Sequence, residues 1–122
     1  NMKNVAKLTG HSGAIRALSF SSNGIHLATA GHDGLVKLWD LRKLEKLSEF
    51  ALGSAAASLS FDASGSYLAA GSVDDLRLYE TSEWNQLSAL EQKGPVTGVK
   101  FGPQASSLVS CSMDRTLKFW AQ

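Results

Sequence analysis

The chain has 122 residues, of which 43% are hydrophobic and 19% charged, and a formal net charge of +1, the balance of one ordinary globular domain. So small a net charge gives no electrostatic reason for nucleic acid or an anionic membrane as a partner. The single cysteine, Cys111, excludes an internal disulfide and a cysteine-built zinc site, no apolar run reaches a membrane span and no signal-peptide pattern opens the chain, so a soluble protein of a reducing, intracellular compartment is expected.

Taken in order, the chain repeats one phrase. Phe20, Phe61 and Phe101 close the first strand of successive units at spacings of 41 and 40, and Val36, Leu76 and Leu117 recur in the third strand at spacings of 40 and 41. The stretch Leu27 to Asp40, LATAGHDGLVKLWD, predicts two strands around a His-Asp-Gly turn, because its apolar residues are bounded by Gly and Asp and follow no helical period. LAAGSVDDLRLYE and LVSCSMDRTLKFWA repeat it from Leu68 and Leu108, the middle copy with one residue fewer after Asp74. A period near 40 built of short strands predicts propeller blades, and thus an all-β fold. Segments Leu41 to Lys46 and Thr81 to Gln86 read as polar loops between third and fourth strands.

The turns agree with the strands. Ser22-Asn23-Gly24 and Ala63-Ser64-Gly65 place a glycine where a tight link needs positive φ, whereas Gly102-Pro103-Gln104-Ala105 requires a turn of another type. Asp33, Asp74 and Asp114 open the next turn, where a short carboxylate accepts backbone N–H groups. The second strands, LATA, LAAG and LVSC, are small and mostly apolar on both faces. Such strands must be covered on both sides, as in blades stacked around an axis.

The sharpest constellation is Gly10-His11 with Thr29, Asp33 and Trp39. A buried imidazole and carboxylate are tolerable when each satisfies the other, so the four read as a structural network. A hydroxyl–imidazole–carboxylate hydrolase is the competing reading, disfavoured because the set recurs as blade punctuation and Thr29 falls inside a sheet. The third unit keeps Ser110, Asp114 and Trp120 but has Gln92 in the histidine position. The second keeps Asp74, with Leu52, Ala70 and Tyr79 for the other three, and should rest more on apolar packing. His26 and His32 have no partners at metal-ligand spacing, His26 being expected near a strand start and exposed. Trp84 is expected against the blade edge, and Arg42-Lys43 with Lys46 as a solvated loop. No phosphate loop, dinucleotide fingerprint or acid/base carboxylate pair appears, so no catalytic residue, metal or cofactor is expected.

The spacing of Gly10-His11, Thr29, Asp33 and Trp39 resembles the WD-repeat family. GHSGAIRALSFSSNGIHLATAGHDGLVKLWDLRKL, SLSFDASGSYLAAGSVDDLRLYETSEW and GPVTGVKFGPQASSLVSCSMDRTLKFW together resemble the C-terminal three repeats of the pre-mRNA-processing factor 19 family. That resemblance implies part of a seven-bladed propeller behind a U-box and coiled coil, in a nuclear ubiquitin ligase of the spliceosome and the DNA-damage response. No U-box lies in these residues, so no ligase chemistry is expected of them. It implies residues 1–9 as the outer strand of a preceding blade (Asn4 to Leu8) and repeats over 10–50, 51–90 and 91–122. Partners would be spliceosomal proteins and ubiquitination substrates, with the remaining blades, or a second copy in a six-bladed ring, covering the open faces. The partner-binding face maps to Ala14, Arg16 and His32; Ala55, Ala57 and Val73; Pro95, Thr97 and Met113. A scaffold of another pathway, in signalling or chromatin, is the alternative.

Overall fold

In the computed structural model, residues 2–4, 6–73, 75–90, 94–102 and 107–121 are described. They form three antiparallel sheets in sequence order. Blade 1 consists of β1 (Ile15–Phe20), β2 (His26–Gly31), β3 (Leu35–Asp40) and β4 (Glu45–Ala51). Blade 2 consists of β5 (Ala56–Phe61), β6 (Tyr67–Ser72), β7 (Leu76–Glu80) and β8 (Gln86–Leu90). Blade 3 has β9 (Val96–Phe101), β10 (Ser107–Ser112) and β11 (Leu117–Ala121). The first strands end at Phe20, Phe61 and Phe101, where the repeat places them. The described residues of 4–8 pair with no strand; an outer strand there would need the third strand of a preceding blade as its ladder.

Local chemistry fixes the links. Gly24 and Gly65 adopt φ of 71° and 77° in the turns from first to second strands, with Asn23 and Asp62 accepting the N–H groups that reopen the ladder, Ile25 and Tyr67. Asp62 is buried, and burial pushes its carboxyl up, but the Ser64 hydroxyl and the N–H groups of Tyr67 and Ser64 outweigh that and hold it below the ordinary range. In the links from third to fourth strands, Leu44 and Trp84 take the same left-handed conformation, φ 56° and 60°, where bulky residues are rare. Trp84 is held there by its ring, which stacks on Phe50 at 6.2 Å and meets the edge of Phe61 at 6.4 Å. His26 is the first residue of β2 and half-buried, beside Trp84 in a cleft of about 310 Å³ between blades 1 and 2. Arg42 projects into solvent and pairs with Asp40 at 3.4 Å, and Lys46 pairs with Glu49. Asp74, Gln92 and Pro103 to Ala105 lie outside the described residues.

The blades stack by one rule. Each inner strand packs on the inner strands of the blade before it, giving two apolar layers. One joins Ala28, Ala30, Val36 and Leu38 to Leu52, Leu59, Leu68 and Tyr79; the other joins Ala69 and Leu76 to Val96, Val99 and Leu108. Serine hydroxyls tie the layers across the blades: Phe61 N donates to Ser19 Oγ at 3.1 Å, Val99 N to Ser58 Oγ at 3.0 Å and Phe101 N to Ser60 Oγ at 3.3 Å. These bonds satisfy N–H groups that antiparallel alternation turns away from the sheet's own ladder.

Where blades 2 and 3 meet, a Cβ added at Gly71 would lie 2.5 Å from Val96 Cγ1. Gly71→Ala is therefore expected to destabilise the fold by about 1–3 kcal/mol through overpacking. Denaturant unfolding measures it, and Val96→Ala introduced beside it should recover stability relative to Gly71→Ala alone.

Candidate functional site

The network of blade 1 spans three strands and the loop before them. His11 Nδ1 lies 2.8 Å from Asp33 Oδ2, and His11 Nε2 lies 2.7 Å from Thr29 Oγ1, which also accepts from Trp39 Nε1 at 2.8 Å. His11 and Asp33 are each 4% exposed at the side chain. Neutral His11 protonated at Nδ1 satisfies every member: it donates to Asp33 and accepts from Thr29, whose lone pair takes the indole N–H. Burial pushes the Asp33 carboxyl up; the His11 hydrogen bond, with N–H groups of Leu35 and Ser12, more than cancels that and lowers it. The order of groups is that of a hydrolase. Thr29 is nevertheless buried within β2 with its oxygen capped by Trp39, so a carbonyl carbon has no line of approach.

The other blades depart as their residues dictate. Leu52, Ala70 and Tyr79, in the positions of His11, Thr29 and Trp39, are all buried in one apolar layer. Burial raises the Tyr79 phenol, against the opposing Arg77 guanidinium. In blade 3, Trp120 Nε1 donates to Ser110 Oγ at 2.9 Å, and Asp114 accepts from Ser112 Oγ and, at 3.0 Å, from Thr116 N. One part of the arrangement carried no signal in the sequence. Lys37 is buried, its Nζ donating to Gly10 O at 2.7 Å. Gly10 itself has φ 140°, which side-chain-bearing residues avoid. In blade 2 the turn is held by Asp75, which bonds Ser72 Oγ and Arg77 Nε.

Substituting Thr29 by Val keeps the shape but strands the Trp39 N–H and removes the partner of His11 Nε2. A loss of about 1–3 kcal/mol is expected, read as a lower urea midpoint. Asp33 has a folded value below its ordinary 3.8, so its contribution is present above the unfolded value and fades as pH falls through the folded one. Unfolding free energy measured from pH 6 down to pH 2 should fall, and should fall less steeply in Asp33→Asn.

At the rim where the inner strands begin, the nine mapped residues come together in three like sets. His32 N donates to Ala14 O, Val73 N to Ala55 O and Met113 N to Pro95 O, at 2.9, 3.1 and 3.0 Å. Between these bonds and the regular ladder each inner strand carries a β-bulge, and its extra residue is Arg16, Ala57 or Thr97. A bulge frees one side chain from the alternation and re-aims it. Arg16 thereby reaches His32, with Nη1 3.1 Å from Nε2. Ala14, Arg16, His32, Val73, Thr97 and Met113 are exposed, and Ala55, Ala57 and Pro95 half-buried. Beside His32 a cleft of about 250 Å³ runs between blades 1 and 2, past Asp33 to Ser54 and Ala55. Among the described residues no group of three His, Cys, Asp or Glu gathers as a metal site.

Small stacked antiparallel blades with this His–Thr–Asp–Trp network define a partial β-propeller. The family model described as WD domain, G-beta repeat matches residues 2–40 and 84–121, and the chain belongs to that family. It is 46% identical over 96% of its length to pre-mRNA-processing factor 19 homolog 2 of Arabidopsis thaliana and to pre-mRNA-processing factor 19 of Oryza sativa subsp. japonica. The Homo sapiens pre-mRNA-processing factor 19 is also 46% identical, over 97% of the chain. The chain spans about a quarter of the length of these curated relatives, 23%, 24% and 24%. A solved chain described as the structure of U3-55K superposes with a TM-score of 0.90 at 23% identity, over 93% of this chain and 38% of that one, which shows the fold.

Proposed function

We propose that these residues are a protein-interaction region of a nuclear pre-mRNA-processing factor, and that they bind proteins through the bulged rim. The observation that carries the reading is the rim itself. Three bulges set Arg16, Ala57 and Thr97 at one end of the stacked blades, outside the ladder, with Arg16, His32 and Thr97 as polar groups of the rim. A face of small side chains around one guanidinium suits a peptide backbone or carboxylate, which arginine grips through two parallel hydrogen bonds. The pathway is supported by the 46% identity to pre-mRNA-processing factor 19 of plants and human.

The finer reading follows the same family. The residues would form three blades of a seven-bladed propeller that recruits spliceosomal proteins and substrates to a ubiquitin ligase acting also in DNA repair. Ubiquitin transfer would then lie outside these residues, whose part is to hold the partner. Nothing in the reading requires a cofactor.

Arg16 is exposed and the extra residue of its bulge, so Arg16→Glu is expected to leave the unfolding midpoint within experimental error. It should cut recovery of splicing proteins from nuclear extract by tenfold or more, measured by quantitative mass spectrometry of the captured material. Equal recovery by the variant would sink the rim. Absence of splicing proteins from the wild-type capture would sink the pathway.

A further inference from the structure

The four arginines of the chain divide by what holds them. Arg42, in the link after β3, pairs with Asp40 at 3.4 Å, and Arg77, within β7, pairs with Asp75 at 3.1 Å. Arg16 and Arg115 stand at the rim where the inner strands begin, and neither meets a carboxylate among the described residues. Arg16 donates to His32 Nε2, which orients the guanidinium and leaves most of its donors free. Arg115 is exposed, and its side chain makes no hydrogen bond or ion pair among the described residues.

Arg115 holds the place in blade 3 that Gly34 holds in blade 1. Gly34 N donates to Gly31 O at 3.1 Å and Arg115 N to Ser112 O at 3.2 Å. The aspartate before each accepts from the residue after it, Leu35 N at 3.2 Å and Thr116 N at 3.0 Å. Both residues are left-handed, with φ of 73° and 70°. Glycine takes that conformation freely, whereas a residue with a Cβ is strained in it. Blade 3 therefore keeps a long basic side chain where the turn alone favours glycine, and strain of this kind clusters at functional positions. The described carboxylates at this end are committed to donors of their own blades. Asp33 accepts from His11 and the N–H groups of Ser12 and Leu35, Asp75 from Ser72 and Arg77, and Asp114 from Ser112 and Thr116.

Given the rim as the protein-binding face, we propose that Arg16 and Arg115 are the two ends of one site for an anionic peptide. Arg115 is the residue that sets its preference for negative charge. Blade 2 lies between them, and its rim residues Ala55, Ala57 and Val73 are small or apolar, which leaves room for a main chain. Each guanidinium can grip a carboxylate or a phosphate through parallel N–H groups. Single-stranded RNA is a polyanion that this rim does not suit. Its bases are held by stacking on successive aromatic rings, and the nine mapped residues offer only the His32 imidazole, which Arg16 engages.

The test is fluorescence anisotropy with a labelled peptide of alternating Glu and Gly, beside versions with phosphoserine or Gln in place of Glu. The Gln peptide should bind about tenfold more weakly than the better anionic one, and rising salt should weaken anionic binding. The tighter of the Glu and phosphoserine peptides identifies the source of the anion. Arg115→Gly, with its fold checked by circular dichroism, should weaken that binding about fivefold or more, while its urea midpoint stays level or rises. Arg115→Asn, which also tolerates the left-handed turn, should match it, and Arg115→Lys should keep part of the affinity. Failure of both anionic peptides to bind overturns the proposal, as does equal binding of the Gln peptide. An oligouridylate of equal charge that binds more tightly than either peptide also overturns it, in favour of RNA. Unchanged peptide affinity in Arg115→Gly and Arg115→Asn removes the two-arginine site alone, since the rim itself is judged by the capture experiment with Arg16→Glu.

Discussion

A sheet that is apolar on both faces has to be covered twice, and every feature of this chain follows from that. The inner strands are rich in alanine, glycine, serine and short aliphatic residues, and in blade 2 a neighbouring blade presses on each side of them. The apolar area so removed from water is the main favourable term for the fold. It also dictates the polar chemistry, since the edge N–H groups of each inner strand become buried when the next blade arrives. Ser19, Ser58 and Ser60 exist to receive them.

Within that frame the three blades reach the same packing by different means. Blade 1 buries an imidazole, a carboxylate, a hydroxyl and an indole that satisfy one another. Blade 2 fills the same space with Leu52, Ala70 and Tyr79. The substitution is coherent because the members change together: a leucine in place of His11 with Thr29 retained would orphan a hydroxyl, and an alanine in place of Thr29 with Trp39 retained would orphan an indole. Fully satisfied polar networks are stable and mixtures are penalised; blade 2 keeps one polar atom in its layer, the buried Tyr79 phenol, opposed by the Arg77 guanidinium. Blade 3 keeps the Ser110–Trp120 pair and holds Asp114 within its own turn.

Much of this was legible in the sequence because it repeats. The period located the strand ends, with the first strands closing at Phe20, Phe61 and Phe101, and the spacing of Gly10-His11, Thr29, Asp33 and Trp39 marked four positions that the fold brings together. Local pattern did not show what depends on register between strands. The bulges at Arg16, Ala57 and Thr97 leave no mark in composition, since an extra residue in a strand looks like any other residue. Nor did it show that Lys37, a residue type that is rarely buried, would sink its charge against the Gly10 carbonyl, a contact made across 27 residues. The expected loop from Leu41 to Lys46 is shorter than its polarity suggests, because β4 begins at Glu45 and polar side chains are ordinary on an outer strand.

The bulges have a bearing on how such a surface changes over time. A residue within a ladder answers to its cross-strand neighbours, and altering it disturbs packing on at least one side. The extra residue of a bulge answers to neither, so its side chain can vary while the scaffold beneath keeps its stability. Placing one at the mouth of every blade separates the positions that hold the domain together from those that meet the outside. One architecture can then acquire new binding preferences by single substitutions, without the loss of stability that usually accompanies change.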